Sequence, residues 1–369
     1  MHIGIDASRL AITRRTGTER YSSEIIAALA RIDRRNRYTL YTNGLPAALP
    51  LLGPNVALRN IPLPRLWTHA RLGLELRIHA PDVSFIPAHV VPLIRPARCV
   101  VTIHDLGYLA FPQAHTARRR FELDLTTRWS CRAATRVIAI SQATADDLVR
   151  HYGVDRAKIR VVHHGIAAAQ FRPPDDPGLI AAVRRRHTLD AAYFLYVGTL
   201  QPRKNLARLI NAFAPVAAAN PAISLVLAGR RGWLSEPIER RISELGLEQR
   251  IRLTDYLADE DLVPLLAGSL AFVFPSLYEG FGMPVLEAMA CGAPVLTSTT
   301  SSLPEVAGDA AMLVDPHDET AITAALHRLA TDATLRADLR SRGLAHVAGF
   351  SWERCARETL AVLREAAAG

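Results

Sequence analysis

Residues 278–298 read YEGFGMPVLEAMACGAPVLTS, which sets two carboxylates, Glu279 and Glu287, eight positions apart around Gly280, Gly282 and Pro284. The preceding apolar run AFVF (271–274) reads as a strand, and YEGFG as the turn that leaves it. Pro284 suits the first position of a helix, where its missing N–H costs nothing. Met289 to Cys291 close that short helix, and Gly292 supplies a left-handed stop. Gly280 and Gly282 let backbone come close to a ligand, and the helix N-terminus offers unpaired N–H groups and a positive dipole end to an anion. Glu287, at the end of the first helical turn, can then accept from hydroxyls beside that anion, with Glu279 on the other side. An anion flanked by two hydroxyl-binding carboxylates describes a nucleotide sugar, whose pyrophosphate lies between ribose and hexose. Either glutamate by itself is equally explained by the preference of acids for a first helical turn, and the glycines by turns.

Other strand ends supply complementary groups. YFLYVGTLQPRKNLARLINAF (193–213) reads as strand, a turn at Gly198, then Arg203-Lys204-Asn205 where a helix begins. Lysine is scarce here: Lys158 and Lys204 are the two lysines, and arginine makes up the rest of the 44 basic residues. A compact ammonium beside an arginine suits a phosphate where a second broad guanidinium would not fit, although two lysines must fall somewhere. VTIHDLGYLAFP (101–112) puts His104 directly after a strand, with Asp105 able to orient it; a lone histidine is more often structural than catalytic. TRRTGTERY (13–21) offers Gly17, where backbone could approach a phosphate or an acceptor. Asp259-Glu260-Asp261 matches the DxD pattern of metal-using sugar transferases, but in LADEDLVPLL it opens a helix and reads as capping. No HExxH or clustered His/Cys set appears. The expectation is therefore no metal and no other cofactor, the pyrophosphate being neutralised by Arg203, Lys204 and helix N–H groups.

These residues need scaffolds that bring strand ends together. HIGIDA (2–7), CVVTI (99–103) and RVIAI (136–140) in the first half are candidate buried strands, as are YFLYV, ISLVLA (223–228), IRLT (251–254), AFVF and PVLTS (294–298) in the second. Helical patterns alternate with them, one capped by Ser141 and ending near Gly153, another capped by Ser351. That alternation predicts parallel sheets covered on both faces, which bind ligands at the carboxyl ends of their strands. Neither GxGxxG nor the phosphate loop GxxxxGK[ST] is present, so nicotinamide and nucleoside-triphosphate readings lose their main support. The proline-rich FRPPDDPG (171–178) marks the expected boundary. The expected fold is α/β, with doubly wound domains over 1–174 and 175–350 and a terminal helix over 351–369.

A chain of 369 residues suits two domains of roughly 150–200 residues each. It holds no apolar run of about 18 residues, the minimum for a spanning helix, and its start, MHIGIDASRL, lacks a secretory pattern. Cys99, Cys131, Cys291 and Cys355 are scattered, which argues against disulfides and zinc and for a cytoplasmic location. The net charge of +9 is unevenly spread: residues 1–174 carry 25 Lys+Arg against 12 Asp+Glu. Clusters such as Arg31, Arg34, Arg35, Arg37 and Arg118–Arg120 would attract an anionic membrane surface or a lipid pyrophosphate, or simply form a solvated face. Nucleic acid is disfavoured, because no binding motif accompanies the charge.

The segments RTGTERY, HDLGYLAFP, RVIAISQATADDLVRHYGV, KIRVVHHGI, FLYVGTLQPRKNLARLI, TDYLADEDL, FVFPSLYEGFGMPVLEAMACGAPVLTS, SSLPEVAGDAAMLVDP and FSWE span almost the whole chain. Together, in this order, the chain resembles the retaining glycosyltransferases of family 4, whose GT-B fold has two Rossmann-like domains facing across a cleft. The resemblance implies that the first domain binds the acceptor and the second the nucleotide sugar, with the final helix crossing back to the first. It implies that Glu287 holds the ribose, and Arg203 and Lys204 the pyrophosphate. Glu279 and the backbone of Gly280, Phe281 and Gly282 would hold the transferred sugar, with His104 near it from the opposite domain. Two departures stand out: Thr199 where many relatives have arginine, and His163-His164-Gly165 where asparagine-glycine is usual.

The reaction implied by the resemblance is transfer of a hexose, with retention, from a nucleoside-diphosphate sugar to a saccharide or lipid-linked oligosaccharide, peripheral to the inner face of the cytoplasmic membrane. The motif style resembles mannosyltransferases of polysaccharide and lipopolysaccharide biosynthesis, implying GDP-mannose; rhamnose, glucose and N-acetylglucosamine donors stay open. A sugar-nucleotide epimerase, a phosphorylase or a non-catalytic nucleotide-sugar-binding protein could share the fold.

Overall fold

The computed structural model describes the chain except residues 13–16, 47–51, 95, 190, 233–235 and 256; of 236 and 259 the backbone alone is described. It divides into two compact units, Met1–Gly165 with Phe350–Gly369, and Ile166–Gly349.

The first unit is built on seven parallel strands: β1 (His2–Asp6), β2 (Arg37–Thr42), β3 (Val56–Asn60), β4 (Val83–Ile86), β5 (Cys99–Ile103), β6 (Arg136–Ala139) and β7 (Ile159–Val161). Their order is β3-β2-β1-β4-β5-β6-β7, so connections wind one way from β1 and the other way from β4. Strands covered on both faces need continuous apolar runs, and β5 is buried at every position. The Gly17–Ile32 helix turns Tyr21, Ile25, Ile26 and Leu29 inward at helical spacing. Against it packs the final helix, Trp352–Ala368, through Cys355, Ala356, Leu360 and Leu363. Ser351 caps that helix by accepting from the Arg354 N–H. Glu365 ties it to the sheet by accepting from Arg136 (3.0 Å) and Arg160.

The second unit has six parallel strands, β8 (Ala192–Val197), β9 (Ile223–Ala228), β10 (Ile251–Thr254), β11 (Ala271–Phe274), β12 (Val295–Ser298) and β13 (Met312–Val314). Their order, β10-β9-β8-β11-β12-β13, is the dinucleotide-fold order 3-2-1-4-5-6. The strand order reverses between β8 and β11, which pair directly, and their two carboxyl ends open side by side there.

The division differs from the expected boundaries. It falls between Gly165 and Ile166, and again between Gly349 and Phe350, so residues 166–174 go with the second unit and Phe350 with the first. The proline-rich stretch is not a free linker: Phe171 is buried, and Asp176 caps the next helix, Pro177–Arg186, by accepting from the Gly178 N–H at 2.8 Å.

Candidate functional site

The second unit brings Arg203, Lys204 and Glu279 together where the strand order reverses. After β8 the chain turns at Gly198, whose φ of +153° favours glycine, and its N–H donates to Ala228 O at 2.9 Å. A Cβ on Gly229 would fall 2.1 Å from Gly198 O; two glycines are what let the β8 and β9 exits touch. A short 3-10 turn, Pro202–Lys204, follows, and Asn205 takes the left-handed conformation at φ +62°, which asparagine tolerates. Its side chain donates to Pro316 O at 2.7 Å.

After β11 the chain comes back to this turn. The Leu277 N–H donates to Arg203 O at 2.9 Å. Lys204 Nζ lies 2.5 Å from Glu279 Oε1, and an Arg203 guanidinium nitrogen lies 2.8 Å from Oε2. Arg203 also donates to Tyr278 O, and Lys204 Nζ sits 4.7 Å above the Phe274 ring. Lys204 and Glu279 are 7% and 8% exposed. Burial by itself would raise the Glu279 pKa, but Lys204 and Arg203 outweigh it and hold the carboxyl below its usual range. The group stays ionised, and two cations against one carboxylate leave a surplus positive charge.

Neighbouring hydroxyls fix the 278–282 loop. Ser301 Oγ accepts from the Glu279 N–H at 2.9 Å, and Ser302 Oγ lies 2.9 and 2.8 Å from the carbonyls of Glu279 and Phe281. Gly280 and Phe281 are buried. Gly282 has φ +106° and caps the Met283–Ala290 helix; a Cβ there would fall 2.8 Å from Leu303 Cδ2. Gly292 (φ +76°) follows the helix end. Two details differ from the sequence-based expectation. Because Gly282 is the cap, Pro284 is the second helical residue, and half-buried Glu287 the fifth, one step past the first turn. Thr199 is exposed, and its carbonyl accepts from Tyr196 OH at 3.1 Å.

His104 follows β5 in the first unit and is 6% exposed. Its Nε2 lies 2.8 Å from Pro87 O. A carbonyl only accepts, so Nε2 carries the proton and Nδ1 is the acceptor. Burial, then neighbouring His89, pulls its pKa down to about 3, and the ring is neutral. Asp105 does not orient it: Asp105 Oδ1 accepts from the Gly107 N–H at 2.8 Å. The ring is oriented by Pro87 O, and the backbone N–H of His104 donates to His89 Nε2 at 3.3 Å. Tyr21 stands edge-on to His104 at 4.8 Å and stacks on His164 at 4.7 Å, and His164 stacks on Trp352 at 5.8 Å. His89, His164 and Tyr21 are not singled out by the sequence as site residues; the HHG departure is their one visible trace. Residues 13–16 of the expected glycine loop lie outside the described residues; Gly17 is exposed and begins a helix, and among the described residues nothing lies within 4 Å of its Cβ position.

Asp261 is not a cap. Ala258 precedes the Asp259–Ala267 helix without a side-chain cap, and buried Asp261 accepts from Arg186 and, at 2.8 Å, from His187. The Asp259 side chain lies outside the described residues. Among the described residues no three His, Cys, Asp or Glu side chains come together to hold a metal ion, and no helix is long and apolar enough to cross a membrane.

Comparison with known proteins covers both units. Residues 182–346 match the family model described as Glycosyl transferases group 1, and residues 15–170 match Glycosyltransferase Family 4. The O-antigen chain mannosyltransferase B of Escherichia coli is 35% identical over 300 residues, 80% of this chain and 77% of that protein. A D-inositol 3-phosphate glycosyltransferase of Streptomyces bingchenggensis (strain BCW-1) is 34% identical over 249 residues, 64% of this chain and 54% of its own length; the chain spans about half of that relative. Among solved structures, Anabaena Alr3699/HepE in complex with UDP and glucose superposes with a TM-score of 0.75 over 99% of both chains at 19% identity, a likeness of fold.

Proposed function

This chain belongs to the family 4 glycosyltransferases of GT-B fold, and from that membership we propose that it moves mannose from GDP-mannose to a saccharide or lipid-linked oligosaccharide acceptor, with retention of anomeric configuration. The observation that carries the reading is the meeting of Arg203, Lys204 and Glu279 where β8 and β11 part, the position at which open parallel sheets take their ligands. Arg203 and Lys204 bind the pyrophosphate, helped by the N-terminus of the Met283–Ala290 helix. Glu287 takes the ribose hydroxyls. Glu279 and the Gly280–Gly282 backbone take the transferred sugar, and Gly198 gives the diphosphate room. His104, neutral with Nδ1 as acceptor, takes a sugar hydroxyl. Mannose is supported by the name of the O-antigen relative.

The bond from the anomeric carbon to the phosphate oxygen breaks, the acceptor oxygen bonds to that carbon on the same face, and its proton passes to the departing phosphate. The barrier is separation of a charged leaving group, so fixed positive groups aimed at its oxygens supply most of the catalysis. No metal takes part in this scheme. The basic Met1–Gly165 segment attracts an anionic leaflet, where a lipid-linked acceptor resides, and nucleic acid is not a partner. The test is a panel of GDP-, UDP- and dTDP-sugars offered with saccharide and lipid-pyrophosphate acceptors, with products identified by mass spectrometry and linkage by NMR. An α-mannosyl product from GDP-α-mannose alone is expected. Transfer from another donor removes the mannose assignment, and an inverted product removes retention.

A further inference from the structure

Glu279 occupies both cations assigned to the donor's pyrophosphate. Its Oε1 is 2.5 Å from Lys204 Nζ and its Oε2 is 2.8 Å from Arg203, with the carboxylate buried and ionised. A phosphate oxygen reaching Lys204 must draw the ammonium off this carboxylate or lie beside it as a like charge, and both lower affinity. We infer that Glu279 is an internal counter-anion that competes with the nucleoside diphosphate for Arg203 and Lys204 and drives that product out after transfer. This rests on the donor-site reading proposed for the same residues.

A carboxylate in this place could instead serve only to hold the two cations in position. The surroundings argue otherwise, since both are anchored without it. Arg203 donates to Tyr278 O, and its own carbonyl accepts from the Leu277 N–H. The Lys204 N–H closes the 3-10 turn onto Gln201 O at 2.9 Å, and its ammonium sits over Phe274. Deleting the charge therefore leaves the cations in place with a larger net positive charge.

The exchange tracks the reaction. With donor bound, sugar hydroxyls donate to Glu279 and compensate its distance from the cations. Transfer carries those hydroxyls away with the acceptor and leaves a diphosphate that, once the transferred proton has passed on to solvent, carries one more negative charge than the donor ester had. Glu279 then regains Arg203 and Lys204, and the more highly charged anion is the one it opposes more strongly. Product release limits turnover in many enzymes, and a nearby fixed negative charge is a direct way to hasten it.

Calorimetric titration of the 369-residue chain with inorganic pyrophosphate decides the matter, with GDP and UDP run alongside. Glu279→Gln, an isosteric neutral variant, is expected to bind pyrophosphate about ten- to a hundredfold more tightly than wild type, the scale of one charge at close range, while transfer turnover falls. Glu279→Asp, which keeps the charge but withdraws it by a methylene, is expected to tighten binding by a few-fold, and it carries the test if the Gln variant does not fold. Unchanged or weaker pyrophosphate binding in the folded variants overturns the inference. Lys204→Met is the separate control: if it binds pyrophosphate as well as wild type, the donor-site reading itself fails, whatever the Glu279 variants do.

Discussion

Gly165 and Trp352 meet backbone to backbone: a Cβ on Gly165 would fall 2.1 Å from the Trp352 nitrogen and 2.3 Å from the Ser351 carbonyl carbon. The chain leaves the first unit at Gly165 and rejoins it at Phe350, so the outgoing and returning segments touch. His163 stacks on Phe350 at 5.9 Å and His164 on Trp352 at 5.8 Å. The His163-His164-Gly165 departure thus has a packing explanation, two rings flanking a crossing that only glycine permits.

Gly165→Ala is accordingly expected to destabilise the protein by about 1–3 kcal/mol or more, the range for forcing a methyl into packed backbone. Chemical denaturation followed by intrinsic tryptophan fluorescence would read it. A loss below about 0.5 kcal/mol, the level of ordinary surface substitutions, would mean that the Ser351–Trp352 segment moves aside freely.

Lys204→Ala is expected to cut turnover by about 10²–10³-fold, as for removal of one donor to a developing anion. Lys204→Arg should not restore it, because the ammonium fits between Phe274 and Glu279 with Arg203 alongside, and a planar guanidinium needs more room. Steady-state kinetics with saturating donor would separate this from weaker donor binding. Near-normal turnover in the alanine variant would remove Lys204 from the chemistry.

How much of the fold and the site is visible in the sequence depends on whether the signal is local. Apolar runs such as CVVTI and AFVF form strands over the same residues because a strand buried on both faces must be apolar throughout. Ser141, Gly153 and Ser351 punctuate helices where expected, since capping is decided within a few residues. Strand β2, RYTLYT, mixes polar and apolar residues, and β13 is three residues long; neither carries a period to read. The Lys204–Glu279 pairing spans 75 positions, and no spacing rule reaches so far: each residue is recognisable as a ligand group, and their bond to each other is not. The ring stack of Tyr21, His104, His164 and Trp352 joins four distant segments and is illegible for the same reason.

That stack sets an acid limit on stability. His104 is held down to about 3 and His164 well below its usual 6.5, in each case chiefly by burial. Both are neutral when folded and take up a proton when unfolded below about pH 6.5. The unfolded state therefore binds more protons below about pH 6.5, and stability falls as pH is lowered, down to about pH 3 for His104, by at most about 1.4 kcal/mol per pH unit for each group. His164→Phe keeps an aromatic ring between Tyr21 and Trp352 and removes one titration. Its melting temperature should drop less than that of wild type between pH 7 and pH 5; a parallel drop would show that other groups set the limit.

Asp261 separates a structural acid from a metal ligand. The acidic triple 259–261 resembles a metal-binding pattern, yet Asp261 is buried and already accepts from Arg186 and His187. A cation entering there would have to displace both partners from a carboxylate next to an arginine. Asp261→Asn should therefore lower stability by about 1–3 kcal/mol, the cost of weakening buried hydrogen bonds to a charged group. It should leave the rate of transfer per folded molecule near that of wild type. Transfer by wild type should likewise be unaffected by excess EDTA, because Arg203, Lys204 and helix N–H groups meet the charge of the pyrophosphate. Initial rates with EDTA, with Mg²⁺ and with Mn²⁺, for both proteins, test the two statements together. Loss of wild-type transfer in EDTA that Mn²⁺ restores would replace this scheme with a metal-assisted one. If Asp261→Asn also abolished that restoration, the site would be the acidic triple.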